Sequence, residues 1–239
     1  MWDAQFQALA DDYRVIRYDL RGYGRSSLPG GAYTPVEDLR AVLDFLGVES
    51  AALVCASFGS SGALELAVLD PTRVDALAIC PPGIFVEARS EELGRYDEAE
   101  DEALDRGDVD AAVELNLQVW VAGPGRTLDD VDPAVVERVR EMQRRAFEVQ
   151  LPAFAGDDQP SARWLLERPW AGHLGSVECP TLVIVGEHDV GDILSSADLL
   201  VSLVPDVRSV ILRDAAHMVA MEKPDEVTAA IAELLGGIL

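Results

Sequence analysis

The sequence has 239 residues, of which 49% are apolar and 26% are charged. This composition excludes a disordered chain and indicates one large globular domain, or one domain with an insertion, because single cores stop growing at roughly 250 to 300 residues. Asp and Glu number 43 against 19 Lys and Arg, so the net charge is −24. A field of that sign repels phosphate groups, which argues against nucleic-acid and membrane partners.

The three cysteines, Cys55, Cys80 and Cys179, are widely spaced and form no C-x-x-C pair. This spacing argues against a disulfide framework or a zinc site and predicts a reducing, cytoplasmic location. No apolar run reaches the roughly 18 residues that a membrane helix requires, and the first residues lack the basic flank and apolar stretch of a signal peptide.

Short β-branched runs alternate with helical patterns, which predicts an α/β fold whose mostly parallel sheet is covered by helices on both faces. The predicted strands are residues 13–18, 51–54, 74–79, 181–185 and 209–212. The predicted helices are residues 36–46, 63–69, 193–204 and a last helix that starts near Asp225 and stops at Gly236 and Gly237. Asp192 is the predicted N-cap of the helix that ends before Pro205.

From residue 84 to residue 165 the strand pattern gives way to acidic, helical sequence; residues 87–114 alone hold twelve acidic residues and three arginines. The apolar residues of this stretch need a surface to cover, and the upper edge of the sheet is available. We therefore predict a helical cap at 84–165 on a core formed by residues 1–83 and 166–239. An oligomerisation arm is the alternative.

A run of small residues joins the strand at 51–54 to the helix at 63–69. A sharp strand-to-helix turn exposes its central side chain above the sheet, and tight packing around it requires small neighbours. Ser57 is at that centre. The backbone N–H of Phe58 follows at a helix N-terminus, where the dipole favours a developing negative charge. The turn alone is equally compatible with Ser57 serving only as a helix cap.

An acid and a histidine follow the ends of two later strands. Asp189 closes the run Gly-Glu-His-Asp after the strand at 181–185, and His217 closes the run Asp-Ala-Ala-His after the strand at 209–212. In open α/β sheets, ligand sites gather at the carboxyl ends of the strands. The order serine, acid, histidine, with intervals of 132 residues (57 to 189) and 28 residues (189 to 217), is that of the nucleophile-elbow hydrolases.

Together these motifs resemble the α/β-hydrolase family, of the capped serine hydrolase type, along nearly the whole chain. Two more segments match: Asp19-Leu20-Arg21-Gly22-Tyr23-Gly24-Arg25-Ser26 is similar to the family's D-x-R-G-x-G-x-S loop, and Glu222-Lys223-Pro224 follows the histidine. The resemblance implies a mostly parallel sheet with flanking helices and an inserted helical cap. It favours esterases, enol-lactonases and cofactor-free haloperoxidase-like hydrolases.

Carried over to this chain, the resemblance makes Ser57 the nucleophile, His217 the general base and Asp189 the carboxylate that orients the imidazole. Phe58 would lend one backbone N–H to the oxyanion.

Other titratable residues compete for these roles or lie beside them. Glu187 and Asp192 are the alternative acids, His188 is expected to be an exposed neighbour, and His173 is expected to be structural. The sequence has no G-K-[ST] loop, no H-E-x-x-H and no histidine cluster, so it implies no metal, nucleotide or other cofactor. A serine at position 57 also fits poorly with haloalkane dehalogenases and epoxide hydrolases, which use an aspartate nucleophile.

The sequence departs from the family pattern at two places. Cys55 stands where the G-x-S-x-G motif has its first glycine, and we expect a buried, inert thiol there rather than a redox partner of Cys80. The family's early strands and its H-G-x-P-G-type loop, which gives the second oxyanion N–H, should precede the helix around Phe6, where this sequence begins. The missing strand would lie between 13–18 and 51–54, so we expect a ladder left unpaired or those two strands forced together.

We therefore expect a cofactor-independent serine hydrolase that cleaves a small or medium carboxylic ester or lactone. The loss of one oxyanion donor typically costs about 10²- to 10³-fold in kcat, so we expect this chain to be a shortened version of an active enzyme. Hydrolysis of a C–C bond in a β-diketone-like substrate is the nearest other reaction. A non-catalytic or ligand-sensing protein on the same fold is the alternative from another class, and a salt-adapted structural domain is a third. We expect a monomer or homodimer whose partner is the small-molecule substrate.

Overall fold

The structure is a computed structural model that describes residues 1–83, 88–167 and 170–238. Its strands are β1 Gly31–Tyr33, β2 Ala51–Ser57, β3 Val74–Pro82, β4 Pro160–Ala162, β5 Thr181–Gly186 and β6 Val207–Leu212. Its α-helices are α1 Asp3–Leu9, α2 Pro35–Phe45, α3 Phe58–Leu69, α4 Glu91–Asp105, α5 Val109–Leu117, α6 Pro133–Phe154, α7 Ala171–Leu174, α8 Gly191–Leu203, α9 Val219–Glu222 and α10 Pro224–Gly236. A π-helical turn, Gln118–Ala122, follows α5 directly.

The central sheet has four parallel strands in the order β2-β3-β5-β6. Side chains alternate across it: Leu77 and Ile79 pack in one core cluster with α2, α3 and α8, while Ala76 and Ala78 pack in the other with α1 and α10. Burial of large apolar side chains on both faces stabilises the sheet by about 1.5 to 3 kcal/mol for each. The predicted α/β fold, with helices on both faces of a parallel sheet, is confirmed.

The strand predicted at 13–18 is wrong, because the structure gives this segment no ladder and assigns no regular secondary structure to residues 14–20. A strand needs a neighbour to take its backbone hydrogen bonds. Here β2 is the last strand on that side of the four-stranded sheet. The result is an unpaired ladder, and Ile16, Tyr18 and the β2 residue Val54 are all exposed.

Helix α8 starts earlier than predicted and has a different N-cap. The cap residue is Val190, and Asp192 lies in the first turn. The Asp192 carboxylate instead accepts hydrogen bonds from the backbone N–H and the hydroxyl of Ser90, at 2.8 and 2.6 Å. Long-range bonding to the start of α4 therefore outweighs local capping. The predicted stop is confirmed, since α8 ends before Pro205.

The acidic segment is mainly helical, as predicted. Helices α4, α5 and α6 and the π-helical turn enclose a hydrophobic cluster that includes Leu117, Val139 and Phe147, and Met218 of the His217 loop packs against it. The predicted first cap residue, Ile84, lies outside the described residues. The predicted strand-free stretch does contain β4, which pairs with β1. The division into core and cap at 84–165 stays a prediction.

Among the described helices, none is both long enough and apolar enough to cross a membrane.

Candidate active site

Ser57 ends β2 and precedes α3, in a backbone conformation that side chains rarely adopt. Its φ is 50° and its ψ is −125°. Such a conformation costs on the order of 1 to 3 kcal/mol, so the surroundings must hold it. The Ser60 hydroxyl donates to the Ser57 carbonyl and accepts the N–H of Gly83 at 2.8 Å. A Cβ at Gly83 would lie 2.9 Å from the Ser57 carbonyl oxygen, so the end of β3 fixes this turn.

Phe58 is the first residue of α3, where no preceding turn can accept its backbone N–H. Its ring lies 6.4 Å from the ring of Tyr23 and 5.6 Å from that of Trp164, centroid to centroid. These contacts fix the start of the helix and keep the N–H in place beside Ser57. The arrangement can offer one hydrogen bond to a developing negative charge.

Asp189 and His217 are brought together in the interior. Nδ1–H of His217 donates to the Asp189 carboxylate, with 2.9 Å to Oδ2 and 3.1 Å to Oδ1. Both side chains are buried, and Asp189 Oδ1 also accepts the N–H of Val190 at 2.8 Å. A bond from Nδ1 to a carboxylate sets the ring orientation and leaves Nε2 as the nitrogen that can act as a base.

Main-chain contacts join the loops that carry these two residues. His188 N–H donates to the carbonyl of Ala215 at 2.9 Å. A Cβ at Gly186 would lie 2.2 Å from that same oxygen and 2.3 Å from the carbonyl oxygen of Ala216. Only glycine allows so close an approach, which explains why a glycine ends β5.

The alternative acids have other partners. Glu187 Oε1 accepts the N–H of Asp214 at 2.6 Å, and Asp192 is bonded to Ser90. His188 is partly exposed beside Glu187, as expected of a neighbour of the site. The His173 Nε2 lies 2.8 Å from the carbonyl oxygen of Glu167.

Ser57 lies at the same carboxyl edge of the sheet, two strands away from β5. Within the described residues, no hydrogen bond joins the Ser57 hydroxyl to His217. The structure thus joins the acid to the histidine and places the serine on the same edge. Bonds between nucleophile and base are often long without substrate and tighten in the reacting complex.

One group of potential metal ligands occurs in the described part of the chain. Glu187, His188 and Asp214 each offer a ligand atom, all within 4.8 Å of one another. The two carboxylates are exposed, and Glu187 already holds the Asp214 N–H. These contacts hold two loops together, and by themselves they do not indicate a metal site.

Cys55 fits at the first motif position because its side chain is small and turned into the protein. Its Sγ lies 3.5 Å from the carbonyl oxygen of Ala78. Burial raises the pKa of the thiols of Cys55 and Cys80. Both thiols therefore stay protonated and unreactive at neutral pH.

Sequence reasoning missed two contacts of the predicted cap with the histidine loop. Trp120 lies against His217, with 4.7 Å between ring centroids, and no residue spacing indicates this. Glu222 accepts the N–H of Ala216 at 2.9 Å and pairs with the buried Arg126 at 2.8 Å. The Glu-Lys-Pro motif was the one available signal for Glu222.

Comparison with known proteins identifies the family. The sequence profile described as alpha/beta hydrolase fold matches residues 1–224. A solved hydrolase from Pseudomonas aeruginosa PA01 is 30% identical, with a TM-score of 0.76 over 98% of this chain and 84% of that one. A solved thermophilic esterase from Thermogutta terrifontis is 25% identical, with a TM-score of 0.76 over 99% of this chain and 85% of that one.

A curated relative, an epoxide hydrolase from Caballeronia sordidicola, is 34% identical over 175 residues. This match covers 66% of the chain and 52% of the relative, so it spans about half of that relative's length. The profile match along most of the chain and the similarity of the whole fold agree. The chain belongs to the alpha/beta hydrolase fold family.

Proposed function

We propose that this hydrolase cleaves a small or medium carboxylic ester or lactone through an acyl intermediate on Ser57, with His217 as general base and Asp189 as the orienting carboxylate. The observation that carries the proposal is the buried 2.9 Å bond between His217 and Asp189, at the sheet edge where the Ser57 turn also lies. A carboxylate-held histidine and a strained serine turn at the same edge of the sheet are the groups that serine acyl transfer uses.

The reaction would proceed in two steps. His217 Nε2 takes the proton of the Ser57 hydroxyl as the oxygen attacks the ester carbonyl, and the N–H of Phe58 donates to the resulting oxyanion. Collapse of this intermediate breaks the ester C–O bond, and the imidazolium returns the proton to the leaving alkoxide. Water, activated by the same imidazole, then hydrolyses the acyl-serine.

The serine also separates this proposal from epoxide opening, the activity named for the Caballeronia relative. Attack of a carboxylate on an epoxide forms an ester that water can hydrolyse, which completes a cycle. Attack of the Ser57 oxygen would form an ether, which the same histidine and water could not cleave. The nucleophile type therefore favours acyl transfer.

A fluorophosphonate probe and a panel of chromogenic esters and lactones test the proposal. We expect the wild-type protein to be labelled and to hydrolyse at least one member of the panel, and Ser57→Ala to do neither while keeping its circular dichroism spectrum. Cysteine at position 55 supplies a control, since Cys55→Ala should keep the labelling. A folded wild-type protein without labelling or turnover would contradict the proposal and support a ligand-binding role. A β-diketone in the panel separates C–C hydrolysis from ester hydrolysis.

A further inference from the structure

The π-helical turn Gln118–Ala122 contacts the candidate base at two points. The backbone N–H of His217 donates to the Trp120 carbonyl at 3.2 Å. The indole ring of Trp120 lies against the imidazole, with 4.7 Å between centroids and 53° between planes. Two contacts from one residue thus constrain both the main chain and the ring of His217. π-helical turns are rare and are often found at functional sites.

Trp120 is itself held by the helices of the predicted cap. Its Nε1–H donates to the hydroxyl of Tyr96 at 3.2 Å, and the two rings meet edge to face at 5.9 Å. The same hydroxyl accepts Nδ2–H of Asn116 at 3.1 Å and donates to Glu100. Burial raises the pKa of Tyr96, so the hydroxyl keeps its proton and this set of bonds. The indole is therefore fixed in position before any substrate arrives.

The end of the turn abuts the two loops of the site as well. Gly123 has a φ of 75°, which favours glycine. A Cβ there would lie 2.1 Å from the carbonyl oxygen of His188 and 2.9 Å from Cβ of Ala216. The turn therefore packs directly against the residues beside Asp189 and His217.

We propose that Trp120 is a positioning residue for His217, so that this turn orients the base together with the acid of the core. The inference rests on the proposed function of His217 as general base. Asp189 holds the ring at Nδ1, while the indole ring packed against it limits rotation and tilt.

Two variants separate the ring face from the ring nitrogen. Trp120→Phe keeps an aromatic face against the imidazole and loses the bond to Tyr96, whereas Trp120→Leu loses the face. Phe147→Leu is the matched control, because it removes an aromatic ring from the buried cap cluster that contains Leu117. We expect kcat for a chromogenic ester to fall about 10- to 100-fold in Trp120→Leu, with KM changed less than about threefold, since a small misplacement of a reacting group has effects of that size. Trp120→Phe should recover most of the loss, and Phe147→Leu should keep kcat.

A second readout needs no substrate. The protein has 3 histidines, so ¹³C relaxation of the histidine Cε1–H groups can follow each ring. We expect the His217 ring to be rigid in the wild type, Trp120→Phe and Phe147→Leu, and mobile in Trp120→Leu, while His173 and His188 are unchanged.

The two readouts distinguish the failure of each idea. A wild type that resists the fluorophosphonate probe and hydrolyses no ester contradicts the proposed function, and the relaxation data then decide on Trp120 alone. A His217 ring equally rigid in Trp120→Leu overturns the inference. A change of KM alone overturns it too, because Trp120 would then contact the substrate rather than position the base.

Discussion

The two sides of the central sheet differ in how completely they are built. Strand β5, which leads to Asp189, has neighbours on both sides and is buried along its whole length. Strand β2, which leads to Ser57, pairs with β3 alone in the described part of the chain and is half-buried, with Val54 exposed. The acid and histidine therefore depend on a tightly packed interior, whereas the serine turn depends on contacts from β3 and α3. Variants at each side can test this difference.

The largest effect is expected at the histidine itself. His217→Ala removes the base that Asp189 holds, so we expect ester turnover to fall by about 10⁴-fold or more. The melting temperature should fall as well, because the variant leaves the buried Asp189 carboxylate without its histidine partner. Steady-state kinetics and thermal unfolding measure both. Wild-type turnover in this variant would show that another residue is the base.

The next effect concerns the buried ion pair beneath the histidine loop. Arg126 and Glu222 are 8% and 4% exposed, and in the described residues Nε and one terminal nitrogen of Arg126 have no partner. Glu222→Gln removes the ion-pair partner of the buried guanidinium, so the free energy of unfolding should fall by about 3 to 5 kcal/mol. Urea denaturation measures it. The double variant Arg126→Met with Glu222→Gln should recover part of the lost stability. Equal stability of the wild type, the single variant and the double variant would contradict this account.

A smaller effect is expected where β5 meets the histidine loop. Gly186→Ala places a Cβ against the carbonyl oxygens of Ala215 and Ala216, so we expect about 1 to 3 kcal/mol of destabilisation and a lower kcat. The matched change Gly191→Ala adds a Cβ that meets nothing within 4 Å at the start of α8. That control should be neutral or slightly stabilising. Similar losses in both variants would mean that the approach at Gly186 can relax freely.

The smallest effects compare the two strands directly. Val183→Thr puts a hydroxyl into the fully buried β5 and should cost about 1 to 3 kcal/mol. The same change at Val54, on the exposed edge strand, should stay within about 0.5 kcal/mol. Urea denaturation of the two variants gives the difference. Equal costs would show that β2 is covered in solution.

The parallel strands and the site residues at their ends could be predicted from the sequence. Buried parallel strands such as residues 181–185 have a strong apolar pattern, and the residues that follow them collect at one edge, so Ser57, Asp189 and His217 could be placed from their order. The segment 13–18 also contains β-branched and aromatic residues, but a strand requires a partner as well, and the residue pattern does not contain that information. A local sequence pattern therefore produces a strand only where a neighbouring strand is present to pair with it.

Other parts of the site depend on contacts between distant residues. Asp192 has the residue type of an N-cap, yet its carboxylate is bonded to Ser90, 102 positions away in the chain. The contact of Trp120 with His217 spans 97 positions (120 to 217) and follows from the packing of the predicted cap on the core. Neither has a local signature, so neither could be predicted from spacing.

The main-chain bonds between the loops after β5 and β6 have a consequence for engineering this protein. Since His188 contributes its N–H and not its imidazole to the bond with Ala215, its side chain can be replaced without removing that bond. Position 188 can therefore be randomised in a library while the bond between the two loops is kept. Most members of such a library should keep the position of the neighbouring Asp189 unchanged.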